Sequence, residues 1–406
     1  LDSLMKTHPC RVEIRTRSLE DNYMFLLEQA APHAELMAVV KADAYGHSLE
    51  LCAPAAVRAG ARWLGVASVE EGVATRALCP EAGVLVLCGA FSCQGAAVAE
   101  HRLSAVAWQP WQLDELETAA RKAGGSVPVH LEIDTGMSRQ GIAPEEFHAE
   151  SGGAGALLAR FHPGSPLRLE GVMTHLLAAA EADGRVTAAQ MALLEEALRR
   201  IEAAGLHPEW VHAGSSATLL AGEAARVGAL AARFGMKAML RPGLALYGVT
   251  PRFNPQFEPS NSPEPASLAA ARTRLQPVLT WKTCVAGVRT IPAGAVVGYN
   301  GTFVATEPMR LALVAAGYAD GLSRLLSNRF SLLVGGQRAP LVGRVSMDTS
   351  VVDVTEIPGV APGDEVVILG EQGGECITAY DHAEATGTIP WEVFTRIGPR
   401  VARVAV

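Results

Sequence analysis

Lys41 closes an apolar run, Met37-Ala38-Val39-Val40, that reads as the inside of a sheet, and the chain continues Ala42-Asp43-Ala44-Tyr45-Gly46-His47. Lysine is rarely buried without a partner, so Lys41 either snorkels out of a core or has a covalent or electrostatic task. Other polar residues close or follow apolar runs: His130 and Glu132 before Asp134-Thr135-Gly136-Met137-Ser138-Arg139, then Thr174-His175, His212 before Gly214-Ser215-Ser216, and Arg241-Pro242-Gly243. Gathered on one rim, these lysine, arginine, histidine and hydroxyl side chains suit an anion with something reactive attached. Ser215 and Ser216 can offer hydroxyls and backbone N–H groups to a phosphate, and Gly243 lets the main chain approach closely. Pro242 has no N–H, so donation from that loop begins at Gly243 and Leu244. The same positions leave a second chemistry open. His130, Glu132, His175 and His212 could ligate a metal, with Lys41 bridging as a carbamate, in a metal-dependent barrel hydrolase.

Positioning these residues requires strands that all point the same way. Short apolar runs at 36–41, 63–67, 84–88, 103–107, 127–133, 169–174, 209–214 and 238–241 predict eight strands. Amphipathic stretches separate them, the clearest at 187–201, where Met191, Leu194, Leu198 and Ile201 recur at helical spacing. Eight strand-then-helix units in this length suit a (β/α)8 barrel, whose active sites lie at the strands' C-terminal ends; a doubly wound open sheet is the rival. From Arg252 to Ala266 the composition changes to RFNPQFEPSNSPEPA, which cannot pack. Beyond it the helical period gives way to β-rich segments at 278–288, 310–315, 330–334 and 365–369. The expected organisation is α/β: a barrel over 1–252, a Pro-rich loop or linker over 253–269, and a mostly β domain over 270–406.

The chain has 406 residues, 49% of them hydrophobic, enough for two domains. A net charge of −8 and the lack of any basic run argue against nucleic acid or an anionic membrane as partner. No apolar stretch approaches the length of a spanning helix, and the first twenty residues lack a signal-peptide core. The initial Leu leaves open a leader removed upstream. Seven cysteines without C-x-x-C spacing predict reduced thiols and a cytoplasmic protein.

The stretch Ala38 to His47 resembles the pyridoxal phosphate lysine motif of alanine racemases. The resemblance continues in order through Asp134 to Arg139, Gly171 to His175, His212 to Ser216, Arg241 to Gly248, Gly298-Tyr299, Gly317 to Gly321, Gly343 to Asp348 and Gly387 to Ile389. It implies a pyridoxal phosphate barrel followed by a β domain, and an amino-acid racemase acting on alanine to supply D-alanine for peptidoglycan. Lys41 would form a Schiff base with the cofactor and serve as one of two proton carriers. Tyr299, reaching in from the partner subunit of a homodimer, would be the other. Inversion needs a carrier on each face, because a group returning its own proton restores the starting hand.

The resemblance further places Tyr45 on the cofactor phosphate, with Ser215, Ser216, Gly243 and Leu244, and His175 against the ring. Arg241, supported by His212, would face the pyridine nitrogen; a guanidinium donates to that nitrogen but does not protonate it. Arg139 and the backbone of Met347 would hold the substrate carboxylate. Tyr318, Arg324 and Arg344 would line the entrance, and Asp348 would order its loop.

Two positions depart from the pattern. Many members carry a carbamylated lysine where this chain has Glu132, whose carboxylate can supply similar charge to Arg139. Trp391 stands where a tyrosine usually reaches the phosphate, and its indole donates but does not accept. These departures keep a racemase of broader or bulkier specificity, for serine or basic amino acids, as the second reading. A cofactor-binding protein without catalysis is the third.

Overall fold

The computed structural model describes residues 8–147, 153–180, 184–252 and 265–406. It divides into two compact units: one of Arg17–Ala44 and Cys52–Gln276, the other of the residues up to Thr16, Tyr45–Leu51 and Pro277–Val406. After a first strand, β1 (Arg11–Ile14), eight strands close a parallel barrel. They are β2 (Glu35–Val39), β3 (Trp63–Val66), β4 (Gly83–Val86), β5 (Ser104–Ala107), β6 (Val127–Glu132), β7 (Leu167–Thr174), β8 (Trp210–Ala213) and β9 (Lys237–Leu240). Every expected barrel strand is present, and the open-sheet rival falls with the closing pairs Glu35 with Met239 and Leu36 with Leu240. The strands read as near-continuous apolar runs because helices cover their outer faces while side chains fill the lumen.

The helix expected at 187–201 spans Arg185–Ala203 and buries Met191, Leu194, Leu198 and Ile201. The helix Pro110–Ala123 starts with proline in its first turn and stops at Gly124, whose φ of 67° is the left-handed conformation that ends helices. Asn22 is buried in the helix Thr16–Ala30, where its amide donates to the carbonyls of Leu246 and Gln276 at 3.1 and 2.8 Å.

The second unit is mostly β. Its strands are β10 (Leu279–Ile291), β11 (Val296–Val297), β12 (Phe303–Val304), β13 (Met309–Val314), β14 (Ser331–Val334), β15 (Gln337–Pro340), β16 (Ser350–Asp353), β17 (Glu365–Gln372), β18 (Glu375–Ile377) and β19 (Ala402–Ala405). The main sheet runs β15-β14-β17-β10-β1-β19, with β13 and β16 continuing from β10, and β18 pairing with β17. The expected start of the barrel domain at residue 1 is corrected here. β1 pairs antiparallel with β10 and parallel with β19, inside the β unit. Four residues with alternating burial carry too little pattern to reveal partners so distant in sequence.

Of the expected loop over 253–269, residues 253–264 lie outside the described residues, and the helix Ala266–Arg274 begins within its end. None of the seven cysteines is in a disulfide among the described residues. No helix among the described residues is long and apolar enough to cross a membrane.

Candidate active site

Strand register brings the polar residues of the barrel together. Glu132 pairs with Met173, Met173 with His212, and His212 with Met239, so one layer crosses β6 to β9 just below the C-terminal rim. Arg241 follows β9 and is buried. Its NH1 donates to His212 Nδ1 at 3.0 Å; its NH2 donates to the Thr174 carbonyl at 2.7 Å and to His175 Nδ1 at 3.2 Å. A guanidinium has five N–H groups and only donates, so three are engaged and both imidazoles must present a lone pair. Burial pulls Arg241 down to about 10, which Glu132 opposes and Arg139 reinforces. It is charged at neutral pH. Burial, then the charges of Arg241, Arg139 and Lys41, pull His175 down to about 3. Burial and Arg241 likewise hold His212 well below the usual histidine range. The rim therefore holds a cation between two neutral imidazoles.

Lys41 lies just past β2, next to β9 in the barrel, and the Val39 N–H donates to the Pro242 carbonyl at 3.1 Å. This joins the lysine's strand to the Arg241-Pro242-Gly243 loop. After Lys41 the backbone leaves the strand in a left-handed turn: Ala42, Asp43, Ala44 and Tyr45 have φ of 54°, 53°, 54° and 55°. L-residues resist this conformation by roughly 1–2 kcal/mol each. Glu71 braces the turn, one carboxylate oxygen accepting from Ala42 N–H at 2.6 Å and the other from Ala67 N–H at 2.8 Å. Tyr45 is buried, which pushes its phenol above the usual range.

The two loops expected to cradle a phosphate are tied together by Ser216, whose Oγ accepts from the N–H groups of Gly243 and Ala245 at 3.0 and 3.1 Å. The Gly243 N–H, expected to donate to a ligand, is thus engaged within the protein. Leu244 opens the following 3-10 turn, where a first amide has no partner inside the helix. Ser215 begins the short helix Ser216–Leu220, its N–H donating to Thr218 Oγ1 at 3.1 Å.

Glu132 is buried, and burial raises its carboxyl to about 7 against the hydrogen bond from Gln140 and the charges of Arg241 and Arg139. Gln140 Nε2 donates to Glu132 Oε2 and to the Leu87 carbonyl. Gln140 was missed in the sequence; its only signal is its place directly after Arg139. Arg139 itself is exposed, on a loop shaped by Asp134 Oδ1, which accepts from the N–H groups of Gly136 and Ser138 at 3.0 Å each.

The remaining expected residues gather on loops of the β unit. Tyr299 sits in a short turn and is 69% exposed; Tyr318 and Met347 are also exposed. The Tyr318 N–H donates to the Ser346 carbonyl at 3.0 Å and the Ala319 N–H to that of Met347 at 2.9 Å, which ties these two loops together. Arg400 adds a second tie, binding Asp320 through Nε at 2.7 Å and Asp348 through NH1 at 2.8 Å. Arg400 was not anticipated. The Gly343 N–H donates to Asn328, fastening the loop between β15 and β16 that carries Arg344. Arg324 is exposed on a 3-10 turn, and Trp391 lies in the first turn of the helix Pro390–Thr395.

The metal reading asks for free lone pairs on the histidines, and the hydrogen bonds use them. His212 accepts from Arg241 at Nδ1, while its Nε2 lies 2.8 Å from His130 Nδ1. Among the described residues no group of three or more His, Cys, Asp or Glu side chains is arranged to hold a metal.

Comparison with known proteins agrees with this geometry over nearly the whole chain. The family model described as alanine racemase, N-terminal domain, matches residues 14–251, and that for the C-terminal domain matches residues 278–405. An alanine racemase of Sorangium cellulosum is 38% identical, covering 97% of this chain and 98% of its own length; one of Symbiobacterium thermophilum is 38% identical over 93% and 92%. The solved alanine racemase of Streptomyces coelicolor superposes with a TM-score of 0.86 at 35% identity, covering 98% of both chains. The alanine racemase of Bartonella henselae, solved with covalently bound pyridoxal phosphate, gives a TM-score of 0.80 at 27% identity, covering 98% of this chain and 99% of its own. A barrel with a lysine and a buried arginine at its rim, a mostly β unit later in the sequence, and these matches along both place the chain in the alanine racemase family.

Proposed function

We propose that this protein interconverts L- and D-alanine with pyridoxal phosphate, Lys41 and Tyr299 carrying protons on opposite faces of the substrate. The observation that carries the reading is the buried Arg241, held charged between neutral His212 and His175 just past β9, the strand beside the one that Lys41 follows. The residues fit the cofactor. A primary amine can hold its aldehyde, the N–H groups of Arg241 left after three bonds can meet the ring nitrogen, and the neutral His175 can lie against the ring without adding charge. Ser215, Ser216, Leu244 and Tyr45 supply donors for its phosphate. When bound, the cofactor supplies the electron sink that acidifies the substrate's α-hydrogen.

The protein's part is placement and proton transfer. Arg241 gives a hydrogen bond without a proton, which keeps the sink weak and discourages side reactions such as transamination. Arg139 holds the substrate carboxylate, with Glu132 and Gln140 behind it in the place of a carbamylated lysine. Lys41 takes or returns the α-proton on one face, and the phenol of Tyr299 does so on the other. The exposure of Tyr299, Tyr318 and Met347 supports a homodimer in which these side chains meet a second subunit. A cytoplasmic role supplying D-alanine for peptidoglycan completes the reading.

The test is incubation of the purified protein with L-alanine in deuterated water, following D-alanine and α-deuterium together; absence of both from alanine and from a panel of other amino acids removes the enzyme reading. Tyr299→Phe is expected to abolish racemisation while retaining the cofactor, and full activity in that variant removes its proton-carrying role. Kinetics across serine and basic amino acids, in wild type and Trp391→Tyr, measure how far this tryptophan widens specificity.

A further inference from the structure

Below the rim, the barrel lumen contains a line of polar groups that the reaction does not touch. His130 on β6 and Glu170 on β7 are both buried, as is Ser104 on β5. We propose that His130 and Glu170 are positioning residues: with His212 they form a one-way hydrogen-bond chain that fixes which nitrogen of His212 faces Arg241, and so holds the guanidinium in one orientation.

The direction follows from what each end can do. Arg241 can only donate, so His212 Nδ1 accepts and its proton resides on Nε2. That N–H lies 2.8 Å from His130 Nδ1, which therefore accepts, leaving the His130 proton on Nε2. His130 Nε2 lies 3.1 Å from Glu170 Oε2, an acceptor at the far end. Glu170 is the acceptor end: burial pushes its carboxyl up, while the hydrogen bonds from His130, Ser104 and Arg168 pull it down and favour the carboxylate. Ser104 Oγ donates to Oε2 at 2.6 Å and Arg168 NH2 to Oε1 at 2.6 Å. An arginine donor and a carboxylate acceptor thus specify both tautomers between them. Reversing either ring sets two N–H groups face to face in a dry interior.

The backbone is cut to admit the chain. A Cβ at Gly171 would lie 2.3 Å from His130 Nδ1, so only glycine opposite His130 lets its ring cross to His212. Trp63 stands edge-on to His130 with ring centroids 5.8 Å apart, and His130 is fully buried.

Only the catalytic consequence rests on the racemase reading, so the test has separate arms. In the holoenzyme labelled with 15N-histidine, both rings should show a protonated Nε2 and an unprotonated Nδ1, with signals assigned by their loss in His130→Asn and His212→Asn. In Glu170→Gln the amide can face His130 with either its oxygen or its NH2, so both chain directions open. The 15N shifts of both rings should then move toward a mixture and the cofactor absorption band should shift. kcat should fall about tenfold, the size of one hydrogen bond to a charged group, with KM nearly unchanged. Ser104→Ala, which keeps the charge, should move the same readouts less and serves where Glu170→Gln fails to fold. A wild-type ring protonated on Nδ1 or on both nitrogens overturns the proposal, as do a folded Glu170→Gln or Ser104→Ala with wild-type shifts, band and kcat. A wild type that racemises nothing refutes the activity and leaves the tautomers to decide the chain.

Discussion

Glu132 has the largest consequence of any single residue that departs from the family pattern. Its carboxyl titrates near 4.5 when solvated and near 7 in the fold. Between those values the unfolded chain has released the proton while the folded one keeps it, so stability falls as pH rises through the window and stays lost above it. The loss amounts to roughly 3 kcal/mol. Glu132→Gln cannot ionise and its amide can still accept from Gln140. Its melting temperature should therefore exceed the wild type's by a margin that opens between pH 4.5 and 7 and is constant beyond. Thermal melts across that range check this; a margin that shrinks with rising pH would mean Arg139 and Arg241 outweigh burial. The residue was legible because it stands two before Asp-Thr-Gly. Its environment was not, since Gln140 and the Leu87 carbonyl come from loops that no periodicity links. His130 was legible only as a polar residue in an apolar strand, which a metal would have explained equally well.

Among the elements, the turn after Lys41 is the one whose conformation the residues conceal. Ala-Asp-Ala-Tyr contains no glycine, and nothing in it announces four successive positive φ angles. The barrel strands were readable for the opposite reason: burial on both faces writes itself as an unbroken apolar run. Ala42 is exposed, so a substitution there tests the backbone with little change in packing. Ala42→Val should destabilise by about 1–3 kcal/mol, because a β-branched residue is a poor fit to the left-handed region. Chemical denaturation measures it, and a change under about 0.5 kcal/mol, the ordinary range for surface substitutions, would mean that the turn relaxes freely. Gly171→Ala places a methyl against the His130 ring and should cost about 1–3 kcal/mol of the kind seen on overpacking. The same denaturation curves report it.

For the whole molecule, the division of the chain is not the division of the sequence. Sequence patterning gave eight strand-helix units and then a β-rich remainder, and both are present, yet the β sheet borrows its penultimate strand from the start of the chain. Without β1, β19 has no neighbour among the described strands and residues Leu279–Lys282 of β10 lose their partner on that side. A fragment of residues 277–406 should therefore unfold with low cooperativity, and fusing residues 8–16 to it should sharpen the transition; equal melting of the two fragments would show β1 to be dispensable. The parallel pairing of Arg11 with Ala402 and Ile14 with Ala405 has a further consequence for how the protein is made. A ribosome releases the earliest of these residues hundreds of codons before their mates, so this edge of the β sheet cannot form until residues 402–405 have been made.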